Sequence, residues 1–176
     1  MILRNVTDDD HEFLLALHND PDVLKNLTHP EQITIAQHLA WWEKIKTNPT
    51  QRRLIFEVNG ERVGFAKFYD IDPTNKSCVL GGDIHKDHRG KGFAKHMWSL
   101  MLDQCFYEPL FLHRVSLTTA AYNEIGHRVY RGLGFEEEGR LVESLWRGDK
   151  FHDQICMYML DTHWKYRSST AIGGRA

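Results

Sequence analysis

The stretch Asp87-His-Arg-Gly-Lys-Gly-Phe-Ala94 stands where the pattern of the chain changes. Before it, Ser77 to Ile84 is a β-rich run. After it, Ala94, Met97, Met101 and Cys105 recur at helical spacing as far as about Glu108, ahead of Pro109. Closely spaced glycines let backbone N–H groups approach a ligand, and a helix N-terminus adds partial positive charge, so this junction suits a pyrophosphate. Arg89 and Lys91 add full charges. An ordinary glycine-rich turn would look the same locally, so the reading needs a second signal.

That signal is Asn123-Glu-Ile-Gly-His-Arg-Val-Tyr130, followed by Gly134-Phe135. Asn123, Gly126 and Tyr130 are spaced i, i+3, i+7 and share one face of a short helix, with Asn123 also suited to be its N-cap. A cap at Asn123 and a half-buried anchor at Tyr130 would also satisfy this spacing.

Working outward, Leu54 to Val58 and Arg62 to Tyr69 are β-rich runs around Asn59-Gly60, a strong hairpin signal. With Ser77 to Ile84, after the turn at Asp72 to Asn75, they form an antiparallel meander. Met1 to Arg4 reads as a first strand. Thr7 starts a helix with Asp8, Asp9 and Asp10 in its first turn and Phe13, Leu14 and Leu17 on one face. Asn19-Asp20-Pro21 ends it. Thr34 starts another helix with apolar positions Ile35, Leu39, Trp42 and Ile45. His113 to Thr118 reads as a strand, Asn123 to about Gly132 as a helix, and Gly139 to Trp146 with Lys150 to Leu160 as a final hairpin. The expected order is β-α-α-β-β-β-α-β-α-β-β, an α/β sandwich with a mixed antiparallel and parallel sheet. Residues 1–160 form one domain, and 161–176 a frayed tail.

The chain has 176 residues, enough for one sizeable core. Its three cysteines, Cys78, Cys105 and Cys156, suggest a reduced, cytoplasmic protein. Twenty-two Lys plus Arg against 24 Asp plus Glu provide no positive field for nucleic acid or an acidic membrane. Eleven histidines raise the question of a metal, but His85 and His88 have no third ligand nearby, so none is expected.

With both motifs in this order, residues 1–160 resemble the GNAT superfamily of acyl-CoA-dependent N-acyltransferases. Arg89, Gly92 and Ala94 match its pyrophosphate loop. Asn123, Tyr130, Gly134 and Phe135 match its later coenzyme-side helix, and Gly139 to Glu143, Asp153 and Met157 to Leu160 are similar to the last hairpin of the branch acetylating protein N-termini, polyamines and amino sugars. The resemblance implies acetyl-CoA as co-substrate. The backbone of Arg89, Gly90, Lys91, Gly92, Phe93 and Ala94 would hold its pyrophosphate, and Asp83, Ile84 and His85 would run beside the pantetheine arm. Asn123 would bind the coenzyme, while Tyr130 would sit near the sulfur and protonate the leaving thiolate.

Direct attack by an amine requires a base, because an alkylammonium is almost wholly protonated at neutral pH. Many relatives place a glutamate where this chain has Val79. Asp83, on the same strand face, is the first substitute and His85 the second. Asn19, His38 and Trp41 are the candidate acceptor residues, because Asn19 to Val23, His38 with Trp41 and Trp42, and Phe65 to Cys78 resemble the subgroup acetylating nucleotide-linked amino sugars. Trp42 also fits the apolar stripe with Leu39 and Ile45, with Trp41 covering its edge. Glu136, Glu137, Glu138 and Glu143 favour a polyamine instead. The expected acceptor is a small-molecule primary amine, in the order nucleotide-linked amino sugar, polyamine, protein N-terminus. A non-catalytic acetyl-CoA sensor is the competing class, and a homodimer is left open.

Overall fold

Positive backbone angles at Asn59 (φ 51°) and Gly60 (φ 83°) turn the chain tightly between β2 (Arg52–Val58) and β3 (Glu61–Asp72). β4 (Ser77–Ile84) pairs antiparallel with β3, placing Phe65 opposite Asp83 and Lys67 opposite Gly81. β1 (Ile2–Asn5) pairs with the other edge of β2. The chain then crosses through α4 (Phe93–Phe106) to β5 (Arg114–Ala120), parallel to β4, and through α5 (Glu124–Leu133) to the hairpin β6 (Glu136–Arg147) and β7 (Lys150–Leu160). The seven strands lie in the order β1-β2-β3-β4-β5-β7-β6. Between β1 and β2 run α1 (His11–His18), the single turn α2 (Pro21–Leu24) and α3 (Ile35–Ile45). The computed structural model describes residues 1–165.

The mixed α/β class and the expected order are present, with α2 as an addition. Pro21 begins that turn rather than only ending the preceding helix: it is the first helical residue, where its missing N–H costs nothing, and the Asp20 carboxylate accepts from Asp22 N–H at 2.8 Å.

Alternation along the strands sorts the sheet into two faces. Leu54, Phe56, Ala66, Phe68 and Leu80 meet Met97, Met101, Leu102 and Cys105 of α4 in the main core. A Cβ on Gly64 would lie 2.7 Å from the Asp83 carbonyl oxygen, and one on Gly82 2.7 Å from Met97 Cε, so the glycines let α4 settle onto the sheet. The opposite face carries Arg53, Ile55, Phe65, Lys67, Tyr69 and Asp83. There α1 and α3 approach it, Phe13 stacking on His85 and Trp41 lying against Arg53.

Several local expectations are corrected. Asp10 lies in the turn after Thr7, as expected, but it serves more than a helix dipole. Its side chain is fully buried, held by Arg4 at 2.7 Å, Arg62 at 2.7 Å and the Thr7 N–H at 2.8 Å. In α3, Ile35 and Leu39 are exposed, and His38 is the buried residue. β6 begins at Glu136, so the three glutamates lie on a strand paired to β7. Residues 161–165 form a helical turn instead of a frayed tail, and Trp164 donates to Asp103 at 2.8 Å. The remaining tail, 166–176, lies outside the described residues.

Candidate active site

β4 and β5 pair only at Ser77–Val79 with Arg114–Ser116. Beyond that the strands part, so the edge of β4 from Leu80 to Ile84 has no β5 partner, and its backbone is free to pair with an extended ligand. At the end of this edge lies the glycine loop. Gly90 (φ 75°) and Gly92 (φ 79°) adopt the left-handed region, and nothing lies within 4 Å of a Cβ built on either. Gly92 is the N-cap of α4, so the first N–H groups of the helix, from Phe93 and Ala94, point toward this open space.

The loop's side chains have other work. The Arg89 Nε donates to the Ile84 carbonyl at 3.0 Å, while its terminal nitrogens lie 3.3 Å from Asp20 and 3.2 Å from Asp22. It therefore ties the loop to β4 and α2. Lys91 Nζ donates to the Asp87 carbonyl at 2.8 Å, and the Phe93 ring packs edge-on against Phe56. Only the backbone of this segment is arranged for an anion.

Tyr130 projects from α5 toward the parting, its ring against Trp98 at a centroid distance of 4.8 Å. Burial raises its hydroxyl pKa well above the ordinary value, and the nearby Asp83 carboxylate and Tyr69 push in the same direction. The hydroxyl therefore stays protonated and can donate to a developing thiolate. Gly126 makes the arrangement possible: a Cβ there would lie 3.1 Å from Tyr130 Cε2 and 2.5 Å from Asn123 Nδ2. Asn123 caps α5, accepting from Gly126 N–H at 3.1 Å and donating to the Thr119 hydroxyl at 3.0 Å. Its amide is thus engaged inside the protein.

Across the parting, Asp83 Oδ2 accepts from Lys67 Nζ at 2.6 Å. Lys67 reaches it by lying over Gly81, where a Cβ would come within 3.3 Å of Lys67 Cε. Arg53 stands beside Lys67 in the register, sandwiched between Trp41 and Tyr69, each ring centroid 5.9 Å from its guanidinium carbon. Burial raises the Tyr69 hydroxyl pKa, an effect that the Arg53 charge opposes. His85 stacks on Phe13, its Nδ1 accepting from Asp87 N–H at 3.4 Å.

The candidate acceptor residues separate. Trp41 is partly exposed on the groove side, beside Arg53. His38 is buried, 3.1 Å from the His11 ring nitrogen, and burial, with His11 and His18 adding to it, lowers its pKa. Asn19 clamps Ile33 through both amide atoms, at 2.8 and 2.9 Å. Tyr122 donates to the Lys25 carbonyl, and Arg147 to those of Leu27 and Thr28, fixing the segment between α2 and α3. Each glutamate of the acidic run has a partner: Glu136 accepts from Tyr158 at 2.9 Å, Glu137 pairs with Arg131 at 3.0 Å, and Glu138 pairs with Arg114.

Sequence reasoning missed Lys67, Arg53 and Tyr69. The turn at Asn59-Gly60 was a usable signal, but a bulge between Phe56 and Glu57 shifts the register and brings Arg53 opposite Lys67 rather than Ala66. Among the described residues, no group of three His, Cys, Asp or Glu side chains is placed to hold a metal ion, and no helix is long and apolar enough to cross a membrane.

A parted sheet beside a glycine loop at a helix N-terminus, with a protonated tyrosine in the parting, defines an acyl-coenzyme-dependent transferase. The model of the acetyltransferase (GNAT) domain matches residues 1–136, and the chain belongs to this family. A spermidine N(1)-acetyltransferase of Vibrio cholerae serotype O1 is 26% identical over 169 residues, 96% of this chain and 97% of that one. An L-amino acid N-acetyltransferase of Escherichia coli K12 is 26% identical over 162 residues, 89% of this chain and 96% of that one. The crystal structure of spermidine N-acetyltransferase from Vibrio cholerae in complex with CoA and spermine superimposes with a TM-score of 0.87 at 25% identity, over 93% of this chain and 97% of that one. The protein is an acetyl-CoA-dependent N-acetyltransferase.

Proposed function

We propose that this enzyme acetylates the primary amine of a small molecule, with Tyr130 and Asp83 facing each other across the reacting thioester. The observation that carries this reading is the unpaired edge of β4 from Leu80 to Ile84, which holds Asp83 and leads to the open glycine loop. The ammonium first loses a proton, through water, to Asp83. The amine nitrogen attacks the thioester carbonyl carbon, the carbon–sulfur bond breaks toward sulfur, and Tyr130 donates to the thiolate; the second nitrogen proton, shed as the amide forms, returns through water to the Tyr130 oxygen, and Asp83 releases the first to solvent. The balance is ammonium plus acetyl-CoA giving amide, CoA thiol and one proton. Backbone N–H groups from Arg89 to Ala94 would hold the pyrophosphate, and Ile84 and His85 would flank the pantetheine. Asn123 supports the coenzyme site as the cap of α5.

For the acceptor, the comparisons weigh toward a polyamine, as a Vibrio cholerae spermidine acetyltransferase is matched both in sequence and in structure, over the nucleotide-linked amino sugar expected from sequence. An amino-acid acetyltransferase stands at the same 26% identity, so likeness alone leaves the acceptor open within small amines. A protein N-terminus ranks third. Release of CoA in the presence of spermidine, amino sugars, nucleotide-linked amino sugars and short peptides tests the reading. Turnover of at least one small amine is expected. Acetyl-CoA binding with no turnover of any would return the protein to the class of coenzyme sensors.

A further inference from the structure

The segment after α2 hangs between the two elements assigned to the coenzyme. Residues 25–34 form neither helix nor strand, and side chains from elsewhere hold them by their backbone. On one side, Arg89 of the glycine loop reaches α2: its terminal nitrogens lie 3.3 Å from Asp20 and 3.2 Å from Asp22, while its Nε donates to the Ile84 carbonyl at 3.0 Å. Phe13 stacks on His85 and fastens α1 to the start of the same loop. On the other side, Tyr122, next to the Asn123 cap of α5, donates to the Lys25 carbonyl, and Arg147 donates to those of Leu27 and Thr28. Asn26 Oδ1 and Arg147 Nε are buried without a partner among the described residues, so the closed arrangement is held against the cost of two unmet hydrogen bonds. A segment without ladder or helix, tied only by side chains, opens more easily than the sheet beside it.

We infer that Arg89 is a positioning residue that couples the two halves of the site: a coenzyme seated between the glycine loop and α5 fixes both anchors of this segment and so closes the wall proposed to face the amine. The candidate acceptor residue Asn19 clamps the end of that wall at Ile33. The inference rests on the coenzyme placement proposed above. Because the loop offers the pyrophosphate its backbone, the Arg89 guanidinium stays on Asp20 and Asp22, and loop and α2 are held as one body. From the other side, Tyr122 carries the restraint on α5 to the Lys25 carbonyl. With coenzyme bound, opening the segment breaks contacts to elements that the ligand has immobilised; without it, those elements can yield. Both ion pairs are partly exposed and weak alone, so the coupling is severalfold rather than many orders of magnitude.

The experiment is hydrogen–deuterium exchange of the full chain with and without CoA. CoA is expected to slow exchange in the loop, residues 84–94, and by roughly fivefold at residues 22–33. Asp20→Asn combined with Asp22→Asn keeps the shape of both side chains and the oxygen that caps α2, but removes the charge that holds Arg89. In that variant the Kd for CoA should stay within about twofold, protection of the loop should remain, and the response at 22–33 should fall below about twofold. Asp20→Asn alone is expected to reduce the response by about half and serves if the double variant does not fold. A purely structural pair would raise exchange at 22–33 equally with and without CoA, so an unchanged ratio in the variant overturns the inference. Protection confined to the loop in the unaltered enzyme also overturns it and leaves the coenzyme site standing. No protection of the loop overturns the coenzyme placement on which it rests.

Discussion

Lys67 Nζ lies 2.6 Å from Asp83 Oδ2, so the carboxylate proposed as base shares its charge with an ammonium. The pair is reached by draping Lys67 over Gly81. It fixes Asp83 while leaving its other oxygen for water or substrate. Asp83→Asn keeps the shape and removes the basicity. Its kcat/KM should fall roughly 10²-fold near pH 7, and the deficit should narrow as pH rises and free amine becomes available. A pH profile parallel to that of the unaltered enzyme would move the search to His85.

Tyr130→Phe removes one hydroxyl from a ring that remains packed on Trp98. The expected result is a kcat lower by roughly 10²-fold with the Kd for acetyl-CoA unchanged. Burial raises the hydroxyl's pKa, so Tyr130 remains protonated through the working range, and the unaltered enzyme should show no alkaline loss of kcat from this group. Isothermal titration together with a pH series to about 9.5 checks both statements.

At Gly92, the left-handed φ of 79° strains any other residue, although no neighbour would block a Cβ. Gly92→Val should lower Tm by roughly 2–8 °C, corresponding to about 1–2 kcal/mol. Its side chain would also enter the space in front of the helix N-terminus, so the Kd for CoA should rise tenfold or more. An unaltered Kd in the folded variant would misplace the pyrophosphate.

Asp10 joins β1, β3 and the turn before α1 through Arg4, Arg62 and Thr7. Burial opposes its charge, but the hydrogen bonds from Arg4, Thr7 and Arg62 outweigh that and hold its pKa well below the usual carboxylate range. With the folded pKa depressed, the contribution to stability is complete above about pH 5 and is lost as pH falls through 4 and below. Asp10→Asn should cost about 3 kcal/mol at pH 7, since it leaves two guanidinium groups facing a neutral amide. The difference from the unaltered protein should shrink in acid. Urea unfolding at pH 7 and pH 3.5 measures it.

The loop and helix proposed to hold the coenzyme were legible as structure because glycines at a strand-to-helix junction and Asn123, Gly126 and Tyr130 on one helix face are local patterns. Their finer roles were not local. Gly126 matters because of what a Cβ would strike, and Arg89 because α2 brings Asp20 and Asp22 to it. The acceptor side depends on tertiary packing. The stripe Ile35, Leu39, Trp42, Ile45 has the right period, yet contact with α1 is made through His38 and His11, leaving Ile35 and Leu39 outside. Glu136 to Glu138 have little strand propensity, and pairing with β7 overrides it. Lys67 meets Asp83, and Arg53 meets Lys67, only through a bulged ladder that no single run of residues reveals.

The clasp of Tyr122 and Arg147 on Lys25, Leu27 and Thr28 joins positions 97 to 120 residues apart. During synthesis, the segment between α2 and α3 leaves the ribosome long before its anchors exist. The meander, with its short-range pairings, can form early, whereas the segment between α2 and α3 must wait for the last hairpin to emerge and dock. The segment proposed to face the amine is therefore the last to gain a definite shape, and a nascent chain can build much of its sheet before that wall exists.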